Sequence, residues 1–416
     1  MFEMKNLRAK TFLVFLIIFT LLPNLIRDMK ILLVFFFLAL VLAFELIRKG
    51  FPKNNSLVYL FLFSGLCLIY AIFSWFFGNW THLYEFDHRY VFRQAYFAVM
   101  APIFLLATIQ ISKYLGSDFY NFIAKNSMKL LLAIFILDII TAYFFGDPRF
   151  YFYNDYTYHM DKGFIWLFVA FLSFYSVFCT NNATGVILVV VLGFIVQNIV
   201  GYGTMFTAAT GQVVFVLILL NYFVLQLTKK IKLCYLMNLC ALFAVILFVL
   251  ISPFFSDLFI SDLNTYWRLE SWYKNISAVV SNLGFGSGFG VSYFPITHDV
   301  VDEVYKAYNP QTAGGGLLDQ LFVRGQHSSI INVLFRTGVL GLLLFLCFIG
   351  SSIFNFRKHM DSRITFAVPV AICGVFNVAT HVGLESPPFM ISFSIAFGYL
   401  IYMVWSRNKH FSIICN

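Results

Sequence analysis

Arg268-Leu-Glu-Ser-Trp272 puts a permanent cation and an indole four residues apart, which on a helix is a single face. A guanidinium keeps its charge and forks onto phosphate oxygens, so an arginine braced by aromatic neighbours is suited to gripping a diphosphate. The plainer use of the same stretch is anchoring: with Trp267 and Tyr273 beside it, a helix over about residues 266–280 would lie on a membrane surface. Farther along, Arg324 and His327 stand three residues apart, ahead of Ser328 and Ser329, whose hydroxyls can cap a helix. A histidine at a helix start, one turn after an arginine, combines a proton acceptor with an anion-binding end. Alone at an interface, a histidine is more often inert. Between these groups runs Gly284-Phe-Gly-Ser-Gly-Phe-Gly290, a glycine at every second position. The dinucleotide fingerprint needs a strand before it and a βαβ unit around it; neither is present, and the run reads as a flexible connector.

These residues share one polar segment of a chain that is otherwise apolar. Of 416 residues 61% are hydrophobic and 11% charged, with a mean hydropathy of +0.83, too little polar surface to cover a soluble globule of this size. The formal charge of +9 falls in short basic clusters between apolar runs, the pattern of membrane orientation, not of nucleic-acid binding. The seven cysteines form no CxxC and avoid the long polar loop, so neither a disulfide framework nor a thiolate metal site is indicated.

Read with the ~20 residues that a bilayer core requires, the chain offers twelve spans, near 11–27, 30–47, 57–77, 91–111, 129–146, 163–179, 185–200, 206–227, 233–255, 328–355, 364–383 and 388–405. The expected fold is therefore an all-α polytopic membrane protein of about twelve transmembrane helices, one integral membrane domain over residues 1–416. The first span is long and lacks a small-residue cleavage site, so it reads as a retained anchor. With the N-terminus inside, the cytoplasmic segments hold 17 Lys and Arg against 10 in the opposite loops, with Arg336 inside a span. Both termini are then cytoplasmic, and the loop 256–327, the one long periplasmic loop and a carrier of short helices, is external. A loop of ~70 residues among short connections is more often functional than ornamental.

Two further placements follow from helix geometry. At about 100° per residue, Gly338 and Gly341 fall within ~40° of His327, a small-residue stripe that would let a neighbouring helix pack closely and fix the histidine. Arg336 and Asp138 each lie about eight residues, ~12 Å, inside the external end of a span, a depth at which an unpaired charge is costly; the two are expected to pair.

Taken in order, Arg268-Leu-Glu-Ser-Trp272, Gly284-Phe-Gly-Ser-Gly288, His327, Ile331, Leu334, Gly338 and Gly341 resemble the superfamily of O-antigen polymerases and O-antigen ligases, bacterial inner-membrane glycosyltransferases. The matching pieces cover about a fifth of the chain. It departs from that pattern at Ser328, where Asn is common, at Arg336, where an acid is common, and at Gly211-Gln212, where a Ser-Arg pair is common. The resemblance implies His327 and Arg268 as catalytic residues, with Arg324 and Trp272 binding substrate. Arg89 and Arg93, at the external mouth of the fourth span, are candidates to replace the missing Ser-Arg arginine. It further implies a multi-pass protein of the bacterial inner membrane and an inverting transfer that needs no metal and no cofactor. The glycan would pass from undecaprenyl diphosphate to a lipid-linked repeat unit or, in a ligase, to lipid A core. The partners would be those lipid-linked donors and acceptors, membrane lipids and a polysaccharide chain-length regulator. A lipid-oligosaccharide flippase is the competing class; transporters more often carry paired repeats and ionisable residues across the midplane.

Overall fold

The computed structural model describes residues 29–50, 54–78, 84–115, 209–259, 263–293, 328–359, 365–380 and 387–414, with isolated positions at 11, 384 and between 167 and 178. Its helices are α1 (Met29–Arg48), α2 (Asn55–Phe77), α3 (His88–Ala95), α4 (Phe97–Leu115), α5 (Ala209–Thr228), α6 (Ile231–Ile251), α7 (Leu263–Ser281), α8 (Ser329–Phe354), α9 (Ala367–Thr380) and α10 (Pro387–Ile414). Two 3-10 turns, Ser252–Phe259 and Asn355–His359, extend α6 and α8. Among the described residues there is no strand, only an isolated antiparallel bridge between Phe86 and Val291. The described residues are all-α, and among them four helical stretches are long and apolar enough to cross a membrane: Asn55–Phe77, His88–Leu115, Ile231–Leu258 and Ser329–Arg357; the spans expected near 11–27, 129–146, 163–179 and 185–200 lie wholly or mostly outside the described residues.

These helices form where length and composition demand them, and their pairing follows from small or mutually satisfying side chains. Helix α4 packs between α1 and α10. Against α10 the approach is close enough that a Cβ on Gly398 would crowd Thr108 and the Leu105 carbonyl, the small-residue contact by which membrane helices associate. Against α1 the tie is polar: the Tyr114 hydroxyl donates to Glu45 at 2.9 Å and accepts from Lys49 at 2.7 Å. Helices α5 and α6 are joined by a reciprocal amide pair, Asn238 Nδ2 to Asn221 Oδ1 at 2.7 Å and Asn221 Nδ2 to Asn238 Oδ1 at 3.2 Å, both residues fully buried. Such exchanges are worth about 0.6 kcal/mol each in a membrane, so they fix register more than they stabilise.

The main departure from expectation is in α8. Its apolar run is continuous, yet Gly338 adopts φ 70 and ψ −168, which breaks the helix into Ser329–Thr337 and a second half running on to Phe354. The first half, about 13 Å long, is buried on every face: residues 328–338 are all buried, whereas Val339 and Leu340 are exposed. Gly341 lies beyond the break, so no single helical stripe runs from the start of α8 through Gly338 to Gly341; that expectation is corrected.

Candidate functional site

A broken helix inside an apolar protein leaves carbonyls and amides that only another polar group can satisfy. The partner here is the glycine run. Ser287 N–H donates to the Phe335 carbonyl at 2.7 Å and Gly288 N–H to the Arg336 carbonyl at 3.1 Å, while Val339 N–H donates back to the Gly284 carbonyl at 3.0 Å. A Cβ on Gly286 would overlap the Arg336 carbonyl, and one on Gly338 would overlap the Gly284 carbonyl. The run is therefore a splint inserted into the break, not a flexible connector. Its glycines permit backbone to touch backbone, which residue spacing alone does not reveal.

The remaining amides of the run are equally committed. Gly284 N–H bonds Val279 O at 2.9 Å, and Gly286 N–H donates to the Tyr70 hydroxyl oxygen. Phe289 N–H donates to Ser74 Oγ at 2.9 Å and Gly290 N–H to Gln94 Oε1 at 2.8 Å, and Gln94 Nε2 returns to the Val291 carbonyl at 3.2 Å. Asp87 N–H to Gly290 O at 2.8 Å and Ser292 N–H to Glu85 O at 2.9 Å complete the bridge beside Phe86. The splint thus ties α2, α3, α7 and α8 into one unit.

Arg336 sits at the end of the first half-helix and is only 2% exposed. Its guanidinium carbon stands 4.4 Å from the Tyr293 ring centroid and 5.0 Å from that of Phe335, and Nη1 donates to the Gly288 carbonyl at 3.1 Å. These contacts hold the cation in a low-dielectric place; the expected partner, Asp138, lies outside the described residues. Arg336→Ala should lower stability by about 2–3 kcal/mol, through the lost stacking and the cavity left behind, read as a fall in thermal unfolding temperature in nanodiscs. Arg336→Lys, which keeps the charge but not the plane, should fall between.

Helix α7 carries the sequence-predicted pair. Arg268, Trp272, Asn275 and Val279 fall within ~60° of one another around it, and Trp272, Asn275 and Val279 are buried. Trp272 belongs to the hydrophobic core instead of standing at an interface. Tyr84 meets this stripe: its hydroxyl donates to Asn275 Oδ1 at 3.0 Å, and its ring packs on Phe335 at 5.1 Å between centroids. Burial pushes the Tyr84 phenol well above its usual range, and the Arg336 charge pulls it partly back. Tyr84 therefore bridges the Arg268 helix and the Arg336 half-helix. On the opposite side Glu270 and Lys274 pair at 3.5 Å. The C-terminal end of α7 leads into a turn whose Gly284 carbonyl accepts from Val339 N–H, about 13 Å along α8 from its start, and which lies beside Tyr70, seven residues inside the Phe77 end of α2.

Arg89 and Arg93 lie on the short helix α3, each over the Tyr90 ring, at 5.6 and 5.7 Å. Arg89 is engaged by its own N-cap: Nε and Nη2 both donate to Asp87 Oδ2, at 2.8 and 2.6 Å, and this hydrogen bonding holds the Asp87 carboxyl below its usual range. Arg93 has no such neutralising fork among the described residues. His327 and Arg324 lie outside the described residues; the structure does show Ser328 as the N-cap of α8, its Oγ accepting from Ile331 N–H at 3.4 Å. Tyr84, Tyr293, Asn275 and Gln94 were not anticipated. A period-3.6 comparison with Arg268 picks out Asn275, but nothing in sequence marks the other three. No protein-family model and no curated protein matches the chain.

Proposed function

We propose that this protein is a surface-polysaccharide polymerase of the bacterial inner membrane, with about twelve spans and cytoplasmic termini. It would transfer an undecaprenyl-diphosphate-linked glycan to a lipid-linked repeat unit at the external face, with no metal in the chemistry. One observation carries the reading. The two segments that bear the resemblance, Arg268–Gly288 and the helix opening at Ser328, meet through three backbone hydrogen bonds although about 50 residues separate them in sequence. That contact brings the Arg268 helix against the helix whose start follows His327. Arginines there would stabilise the departing diphosphate while His327 takes the proton of the attacking hydroxyl, each effect worth a few kcal/mol of barrier.

The broken helix favours a second reading, because transporters build substrate sites from interrupted spans. Here, however, the two carbonyls ahead of the break and the Val339 amide after it are bonded to the splint and not offered to a substrate. Purified protein in nanodiscs, given undecaprenyl-diphosphate-linked repeat units, should yield a ladder of lipid-linked oligomers. Headgroup translocation across liposomes without oligomers would decide for the flippase, and product appearing only when lipid A core is added would decide for a ligase.

A further inference from the structure

Contacts along the chain from α7 to Ser292 give its level against the spanning helices. Tyr273, in the middle of α7, meets Phe254 edge to face at 5.7 Å, in the turn that ends α6. Gly286, thirteen residues on, donates instead to Tyr70, seven residues or about 10 Å inside the Phe77 end of α2. The chain then climbs back: Phe289 N–H reaches Ser74 Oγ, three residues inside that end, and Ser292 N–H reaches the Glu85 carbonyl, past it. Two properties change along the path. Arg268, Glu270 and Lys274 stand on the first part of α7, whereas no charged residue occurs from Asn275 to Tyr293. Beyond Asn275 the outward side chains are Val280, 70% exposed, Leu283, 89%, and Phe285, 65%, beside exposed Ile69 and Phe73 of α2 and Val339 of α8. All nine backbone amides from Asn282 to Gly290 are bonded within the protein. An exposed turn in water can leave such donors to solvent; in hydrocarbon it cannot.

We infer that residues 275–290 form a re-entrant segment, which enters the bilayer from the Phe77 end of α2 and returns to it, with Leu283 and Phe285 at its tip among the acyl chains of ordinary bilayer lipid. The occupant is hydrocarbon because the exposed side chains at the tip are apolar and continue the outward faces of two helices long enough to span. Leu283 fits that setting. Its φ of 56 favours glycine or asparagine, yet a large apolar side chain stands there and points outward. Tyr273, at the point of entry, is a residue type suited to the membrane interface. The middle of the loop expected to lie wholly outside is thus inside the membrane, and this holds whether or not the protein transfers glycan.

The test places p-acetylphenylalanine at Phe285, Phe73 or Tyr273, one at a time in the full chain, and couples a ketone-reactive nitroxide to it in nanodiscs. All three are exposed aromatic positions, so each substitution keeps the ring. Oxygen concentrates in hydrocarbon and a neutral nickel chelate in water, so the ratio of their collision rates with the nitroxide reports depth. The ratio at Phe285 should match that at Phe73 within about twofold and exceed that at Tyr273 about fivefold, because the polar chelate is excluded from an apolar medium. Val280, labelled in the same way, should read between Tyr273 and Phe285, and it serves as the second position should the Phe285 protein fail to fold. A ratio at Phe285 or Val280 no higher than at Tyr273, with the chelate reaching both, overturns the inference and puts the turn in water. Collision with neither reagent also overturns it, because the tip is then covered by protein, a second copy or another part of the chain.

Discussion

Arg268→Ala and His327→Ala should each reduce lipid-linked oligomer formation about 100-fold or more while leaving the protein inserted and folded. The expectation for Arg268 follows from what surrounds it. Helix α7 is held by Leu269, Trp272, Asn275 and Val279, all buried, and by the Tyr84 bond to Asn275, so truncating Arg268 removes a charge without removing the helix. Its unfolding temperature should therefore stay near that of the wild type. Arg268→Lys should recover part of the rate, because a point charge still attracts a diphosphate but cannot fork onto two oxygens. Trp272→Ala should behave differently: it opens a cavity in the core and should lose stability together with activity, by about 3–5 kcal/mol. Polymer of wild-type amount and length in both the Arg268→Ala and His327→Ala proteins would take these residues out of the mechanism. Loss of insertion in either would mean that its role is structural.

The described helices were legible because a span needs only length and apolar composition, which segments such as Asn55–Phe77 and Ile231–Ile251 display without help from the rest of the chain. The site was legible only where one residue's chemistry was enough. Arg268 and Trp272 announce themselves by type and by an interval of four, and the structure keeps them on one face. What escaped was every feature that depends on two distant segments. Nothing in Ser329–Phe354 marks Gly338 as a break, since glycine also occurs inside unbroken helices such as α2 at Gly65. The glycine run could be seen as unusual, but its purpose lies in Phe335, Arg336 and Val339, about 50 positions later. The same holds for Tyr84, whose partners Asn275 and Phe335 come from two other helices. An intramembrane arginine invites the search for an acidic partner, yet at Arg336 an aromatic face and a carbonyl stand within reach. Neither is visible in a count of charges.

Gly286→Ala should lower stability by about 3 kcal/mol or more. The added carbon would occupy the space of the Arg336 carbonyl and crowd the Gly338 amide, both backbone atoms that cannot swing aside. To make room, the splint would have to withdraw. The Phe335 and Arg336 carbonyls would then lose the Ser287 and Gly288 amides in an apolar setting, at about 1–3 kcal/mol for each unsatisfied group. Gly338→Ala meets the same wall from the other side and adds strain of about 1–3 kcal/mol, because φ 70 with ψ −168 is a region essentially confined to glycine. Gly65→Ala is the counterpart: it lies in α2 with nothing within 4 Å of a new Cβ, and should be neutral or stabilising by up to about 1 kcal/mol. Thermal unfolding of the three variants in nanodiscs separates the cases, with Gly65→Ala at or above wild type and the other two well below it. A Gly286→Ala protein that unfolds with Gly65→Ala would mean that the run does not enter the break, and that the join between the Arg268 helix and α8 is made elsewhere.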